Sequence, residues 1–289
     1  MNGIIFAAGR SSRLGSLTNE LPKICLEIEE GKTILDRALT SLAENGIKNL
    51  TIVTGHAEEK IRQATKAYEG KFDSIKFIYN DLFLERNNIY TAYLIRHQIN
   101  SDTLIFNSDI VYDPEILRLA VKKAESSTKS FLVVDDQKKL VDEDMKVLLD
   151  KNGQILRINK ELDNEACTGE YIGILRLAGS DITKFNASLE KMIADEEYSK
   201  YYEDALDRIT AELDLELVLT KGLLWTEIDT PVDYERAKGI IAKLKNLFKN
   251  SSDARLASPE QAELTDASMM TAKDEYNAAD ENFRTGSHA

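Results

Sequence analysis

Arg10, Arg13 and Lys23 follow an apolar run, Gly3 to Ala7, across a loop that begins Ala8-Gly9-Arg10-Ser11-Ser12-Arg13. Small residues let backbone N–H groups come close to an anion while guanidinium and ammonium groups neutralise it, so the chemistry on offer is phosphate binding. A strand-to-helix turn also needs small residues for structural reasons alone. The spacing fits neither Gly-x-x-x-x-Gly-Lys-Ser/Thr nor Gly-x-Gly-x-x-Gly, which counts against simple ATPase and dinucleotide-binding readings. Further on, Asp109 follows the apolar run that ends Ile105-Phe106-Asn107-Ser108, and Asp229 follows Trp225 to Ile228. Two hard carboxylates placed directly after apolar strands suit Mg²⁺ held partly through phosphate oxygens. Taken singly, each reads equally well as a turn former or helix cap. Cys25 and Cys167 lie far apart and His56, His97 and His288 are scattered, so neither a disulfide framework nor a Cys/His zinc site is available. Any metal must sit on carboxylates.

A second group of residues suits a small cation. Val134-Asp135-Asp136 and Asp142-Glu143-Asp144-Met145-Lys146 crowd carboxylates beside one lysine, and Tyr201-Tyr202-Glu203-Asp204 sets two rings beside two acids. Rings and acids together hold an ammonium group by cation–π and charge contacts, which makes Tyr201, Tyr202, Glu203 and Asp136 candidates for binding a small organic cation. Lys146 is a candidate for an anionic group, such as a phosphate or phosphonate, on the same ligand. In a chain this acidic, both runs also read as solvated faces.

The elements that must position these groups alternate. Gly3 to Ala7 reads as a buried strand, Thr33 to Asn45 as a helix stopped by Gly46, and Leu50 to Thr54 as a strand. A helical stretch from Glu58 to Tyr68, a strand at Ile75 to Tyr79, a helix from Asn88 to His97 and a strand at Thr103 to Asn107 follow. Such alternation predicts a mostly parallel sheet with helices on both faces and ligands at the carboxyl ends of its strands. The middle is richer in strands, at Ser130 to Asp135, Met145 to Leu149, Gln154 to Ile158 and Tyr171 to Leu177, and Lys151-Asn152-Gly153-Gln154 is a hairpin turn, so a small antiparallel insertion is expected. Helices at Asp181 to Ala194 and Tyr202 to Glu212, strands at Glu216 to Thr220 and Trp225 to Ile228, and a last helix from Pro231 to Phe248 complete the folded part. The expected division is a domain over 1–249 and an acidic tail over 250–289, where eight acids against three bases contribute −5 of the net −13.

Over its whole length Ile5-Phe6-Ala7-Ala8-Gly9-Arg10-Ser11-Ser12-Arg13-Leu14, with Leu17-Thr18-Asn19-Glu20-Leu21-Pro22-Lys23, resembles the signature of nucleotidyltransferases that activate sugar phosphates and phosphocholine. That family usually has Gly where this chain has Ser11, a replacement that keeps close backbone approach but costs backbone freedom. Asp109 stands where the family places a metal-binding Asp, and Glu227-Ile228-Asp229-Thr230-Pro231-Val232-Asp233-Tyr234 resembles its late second-aspartate motif, so the likeness runs over roughly residues 1 to 245. Tyr79-Asn80-Asp81 and Glu85-Arg86-Asn87-Asn88-Ile89-Tyr90-Thr91-Ala92-Tyr93 resemble the phosphocholine cytidylyltransferase branch, which includes phosphonate cytidylyltransferases. Gly169-Glu170-Tyr171-Ile172-Gly173 resembles the segment in which a strand passes the acceptor pocket, with Glu170 in reach of a substrate cation or hydroxyl.

The resemblance implies a Rossmann-like mixed, mostly parallel central sheet flanked by helices, of the nucleotide-diphospho-sugar transferase type. It implies Mg²⁺ on Asp109 and Asp229, catalytic roles for Arg13 and Lys23, and CTP held by Ala8, Gly9, Arg10, Ser11, Ser12, Gly55, Asn80, Asn87, Asn88 and Thr91. Asn87 or Asn88 also caps the helix that follows, and His56 reads equally as a turn residue. The reaction so implied is transfer of CMP from CTP to phosphocholine or 2-aminoethylphosphonate, with release of pyrophosphate. A sugar-1-phosphate nucleotidyltransferase and a catalytically silent nucleotide-binding regulatory module stay open beside it. A net charge of −13, from 37 basic and 50 acidic residues, argues against nucleic acid as a partner. No apolar run approaches the roughly 20 residues of a membrane span, and the first residues do not read as a secretory signal, so a cytoplasmic location is expected. A homodimer and a further fused domain beyond the tail are left open.

Overall fold

The computed structural model describes residues 1–255. The expected tail therefore lies outside the described residues, apart from its first few, which continue the last helix. β1 (Asn2–Ala7) sets the pattern of the whole domain: Ile5 and Ala7 belong to one hydrophobic core, Ile4 and Phe6 to the other. A strand that alternates between two dry faces must be covered on both sides, as in a doubly wound α/β sheet.

The hairpin β2 (Glu27–Glu29) and β3 (Lys32–Thr33) leads into α1 (Ile34–Glu44), whose start is fixed by a capping box between Thr33 and Asp36. β4 (Asn49–Thr54), α2 (Glu58–Thr65) and β5 (Ser74–Tyr79) extend the parallel sheet on one side of β1, and α3 (Asn88–Ile95) and β6 (Thr103–Asn107) on the other. β7 (Ile110–Tyr112) and α4 (Pro114–Ser126) come next, the helix started by the Asp113 cap and Pro114. β8 (Ser130–Asp135) is followed by the hairpin β9 (Lys146–Leu149) and β10 (Ile155–Asn159), then β11 (Gly169–Arg176), α5 (Ser180–Ala194) and α6 (Tyr202–Asp207). β12 (Leu215–Leu219), β13 (Trp225–Glu227) and α7 (Pro231–Arg255) end the described chain.

Among the described residues the sheet has nine strands, ordered β10-β9-β11-β6-β1-β4-β5, with β8 joined to β11 and β12. β11 runs antiparallel to β6, β8 and β9, so the expected antiparallel segment is an extension of the main sheet. β12 lies parallel to β8. The core of Leu35, Leu39, Ile116, Leu117 and Ile240 packs α1, α4 and α7 on one face. Ile89, Phe185, Leu189, Ala205 and Leu206 pack α3, α5 and α6 on the other. This is the mixed, mostly parallel architecture expected. The last helix differs from expectation by reaching Arg255, past Phe248. No helix among the described residues is long and apolar enough to cross a membrane.

Candidate active site

Two short strands bring the carboxylates together. β7 and β13 pair antiparallel with Ile110 opposite Glu227, and Ile228 N–H donates to Asp109 O at 2.9 Å, so the residue before β7 and the residues ending β13 meet. Carboxylate oxygens of Asp109, Glu227 and Asp229 all lie within 4.8 Å of one another. Lys23 is buried at the centre, where its ammonium donates to Asp109 Oδ2 at 3.1 Å, Asp229 Oδ1 at 3.1 Å and Ile228 O at 2.6 Å. All three of its protons are thereby used. Burial pulls the Lys23 pKa down, but Asp109, Asp229 and Glu227 outweigh it and hold the ammonium above its ordinary 10.5. Burial likewise pushes Asp229 up, and the Lys23 and Arg13 charges reverse the shift to a net lowering. Arg13 Nη2 reaches Asp229 Oδ2 at 2.8 Å from the rim.

Asp109 Oδ1 is buried without a hydrogen-bond partner. A charged oxygen left bare beside two further carboxylates fits a hard, oxygen-loving divalent cation better than it fits a finished ion pair. Asp109, Glu227 and Asp229 are thus a group able to hold a metal ion. Glu227 was absent from the sequence-derived ligand set, although a signal for it was present: residues two apart on a strand share a face, which places it on the side of Asp229.

The carboxylates floor a cavity of about 340 Å³. Ala8, Gly9, Ser11, Ser12 and Arg13 line one rim, and Asn80, Asn87, Asn88 and Thr91 extend it. Ser11 takes φ 54° and ψ 49°, the left-handed region that glycine fills without strain, and its carbonyl is held by Thr18 Oγ1 at 2.9 Å. The asparagines also knit the rim together. Asn80 Nδ2 donates to Thr91 Oγ1 at 3.1 Å, Asn87 caps α3 and donates to Ser199 O at 3.0 Å, and Asn88 Oδ1 accepts from Tyr202 N–H at 3.0 Å. Arg10 is exposed and off the wall. Gly55 is off it too, packed so that a Cβ would sit 2.5 Å from Ala8 O and 2.8 Å from the Phe83 ring. It supports the loop from behind, and His56 beside it places Nε2 at 2.8 Å from Thr18 O.

On the opposite wall stand Glu143, Lys160, Glu170, Tyr171, Tyr201, Glu203 and Trp225. Three residues expected here lie elsewhere. Asp136 is off the wall, accepting from Gln137 Nε2 and from Lys221 N–H. Lys146 is buried with its ammonium on the carbonyls of Asp142 and Lys160, because a buried ammonium must find acceptors wherever the backbone offers them. Tyr202 packs inward, edge-on to Phe6, with its hydroxyl on Tyr171 and Asn107. Conversely, Lys160, Arg86 and Asn107 line the cavity without having been marked in the sequence.

Glu203 is buried, which pushes its carboxyl up to about 7 from 4.5 against the pull of its own backbone N–H, the Tyr202 hydroxyl and the Lys160 charge, while the Asp204 charge adds to the rise. The folded chain keeps this proton to a higher pH than the unfolded chain, so the resulting penalty is absent below pH 4.5, grows as pH rises and is full above about 7. It amounts to about 3 kcal/mol, or about 5–10 °C in a domain of this size. Glu203→Gln is expected to leave Tm nearly unchanged at pH 4.5 and to raise it by that amount at pH 8. Calorimetric scans at both values check this, and an equal shift at the two would refute it.

Residues 3–211 match the MobA-like NTP transferase domain. Choline-phosphate cytidylyltransferase of Streptococcus pneumoniae is 25% identical over 264 residues, covering 87% of this chain and all of that protein. The enzyme of the same name from Haemophilus influenzae is 32% identical over 159 residues, 55% of this chain and 62% of that one. The 2-aminoethylphosphonate cytidylyltransferase of Lancefieldella rimae is 23% identical over 239 residues, 79% of this chain and 88% of that one. In structure, CTP:phosphocholine cytidylyltransferase from Streptococcus pneumoniae superposes with a TM-score of 0.68 at 20% identity, over 83% of this chain and 98% of that one. With its sheet, its strand-end loop and its sequence all matching, the chain belongs to the MobA-like NTP transferase domain family.

Proposed function

We propose that the protein is a CTP-dependent cytidylyltransferase that transfers CMP to a phosphorus-bound oxygen of a small amino-alcohol phosphate or phosphonate. The acceptor oxygen forms a bond to the α-phosphorus of CTP, the bridging bond to the β-phosphate breaks, and pyrophosphate leaves. The observation that carries the reading is the meeting of Lys23 with Asp109 and Asp229 on the floor between a phosphate-type loop and an acidic, aromatic wall. Relatives named for phosphocholine, phosphoglutamine and aminoethylphosphonate support cytidyl transfer to such acceptors.

No protein nucleophile is needed, because the acceptor oxygen is anionic at neutral pH, and alignment with charge neutralisation supplies the rate. Loop N–H groups and Arg13 receive the triphosphate, and Lys23 faces the charge that develops as pyrophosphate leaves. Asp109, Glu227 and Asp229 would hold Mg²⁺, which when bound supplies Lewis-acid charge stabilisation and orients phosphate oxygens. CTP is made and used in the cytoplasm, where this reading places the enzyme.

Pyrophosphate release is the test, with Mg²⁺, one of CTP, UTP or ATP, and phosphocholine, phosphoethanolamine, 2-aminoethylphosphonate or glucose-1-phosphate. CTP-selective release with an amine acceptor is the expected result. Release with glucose-1-phosphate alone would favour a sugar-1-phosphate enzyme, and CTP binding without release from any acceptor would favour a silent nucleotide-binding module.

A further inference from the structure

We infer that the acceptor carries a primary ammonium group and that Glu203 receives it. The inference rests on the cytidylyltransferase reading above and narrows its substrate class to short primary-aminoalkyl phosphates or phosphonates. Glu203 lies in the cavity wall, 3% exposed, and its Oε2 atom is buried without a hydrogen-bond partner. The neighbouring Tyr202 phenol helps hold the Glu203 charge, yet it leaves Oε2 without a partner at hydrogen-bond distance. Its hydroxyl lies 3.2 Å from Asn107 Oδ1 and 2.8 Å from the Tyr171 hydroxyl, which both draw on the one proton it has. A buried carboxylate oxygen with no donor is costly, and a ligand N–H that reaches it recovers the loss. A primary ammonium has three such protons; a trimethylammonium has none.

The alternative, an aromatic cage for a quaternary ammonium, needs ring faces turned to the ligand. Tyr202 offers none, because its ring is in the core with its centroid 5.4 Å from that of Phe6. Tyr171, Tyr201 and Trp225 do stand in the wall, but Tyr171 is only 3% exposed and each of the other two already carries an ammonium of the protein. Lys160 Nζ lies 5.2 Å from the Tyr201 ring and Lys138 Nζ lies 5.6 Å from the Trp225 ring. Lys138 is moreover pinned by Asp144 and Glu170. What the wall has to spare is a hydrogen-bond acceptor, with the exposed carboxylate of Glu143 as further negative charge nearby.

Matched acceptors test the inference: phosphoethanolamine against phosphocholine, and 2-aminoethylphosphonate against its N,N,N-trimethyl derivative, each with CTP and Mg²⁺. Each primary amine is expected to exceed its trimethyl partner at least tenfold in kcat/KM, chiefly through KM. Glu203→Gln is expected to shrink that ratio below threefold while leaving the KM for CTP unchanged. Equal or better use of the trimethyl compounds by the wild type overturns the inference, as does a ratio undiminished in the variant. Should no acceptor release pyrophosphate, the cytidylyltransferase reading fails by itself, and calorimetric titration of the same pairs in the presence of CMP decides the amine question. Tighter binding of the primary amine that is lost in Glu203→Gln supports the assignment; equal binding, or none, overturns it.

Discussion

Asp109→Asn is expected to lower kcat for cytidyl transfer by about 10³-fold, with the fold and CTP binding retained. The factor follows from losing several kcal/mol of transition-state charge stabilisation, at 1.36 kcal/mol per decade. Asp109 stands in the turn between β6 and β7, one oxygen on Lys23 and the other buried and bare. Asparagine preserves the shape and one acceptor oxygen, so the charge is what the substitution removes. Asp229→Asn should cost a similar factor. If both carboxylates serve one ion, the double variant should be little worse than either single one, because residues acting as a unit are far from additive. Single-turnover kinetics at saturating CTP and Mg²⁺, with Tm as a control on folding, measure this. A loss below tenfold in both single variants would remove the pair from the reaction.

The parts of this site that could be read in the sequence are those written in adjacent residues. The β1 strand and its loop are contiguous, and the loop's small residues and charges state their chemistry in one place. Asp109 and Asp229 were each legible as the polar residue after an apolar run. Their meeting was less so, because it depends on pairing between β7 and β13, two strands of three residues that are too short to show a period. The same shortness hid β7 itself. Tyr201 and Tyr202 failed as a pair for a local reason: Tyr201 is the extended residue before α6, whereas Tyr202 begins the helix and packs its ring edge-on to Phe6. Tyr201 kept the wall and Tyr202 went to the core. Lys146 sits at the start of β9, where it and Val147 are both buried, and Lys160 lies just beyond β10 with nothing in its neighbours to mark it. The long-range hydrogen bonds that draw Asn87 and Asn88 onto Ser199 and Tyr202 were equally invisible, yet they join the nucleotide rim to the acceptor wall.

Lys23→Met separates the two jobs of the buried ammonium. In the metal-free protein Lys23 is the cation that offsets Asp109, Asp229 and Glu227, and Met removes it while filling much the same volume. Breaking a buried charge pair by removing one partner costs about 3–5 kcal/mol. The lower end applies here, because Asp109 and Asp229 keep 21% and 22% side-chain exposure. Metal-free Lys23→Met should therefore melt about 10 °C below the wild type. Added Mg²⁺ should then raise Tm more in the variant than in the wild type, since an ion entering the carboxylates no longer competes with a resident ammonium and stabilisation grows with the ratio of its concentration to Kd. On the proposed reaction, turnover should nevertheless stay about 10²–10³-fold low even with Mg²⁺ saturating, because an ion on the carboxylates leaves the site one positive charge short as pyrophosphate departs. Scanning calorimetry with and without Mg²⁺, beside the pyrophosphate assay, reads both effects. A variant that melts like the wild type and gains no more from Mg²⁺ would show that Lys23 does not balance this cluster; one that recovers full turnover with Mg²⁺ would confine Lys23 to structure.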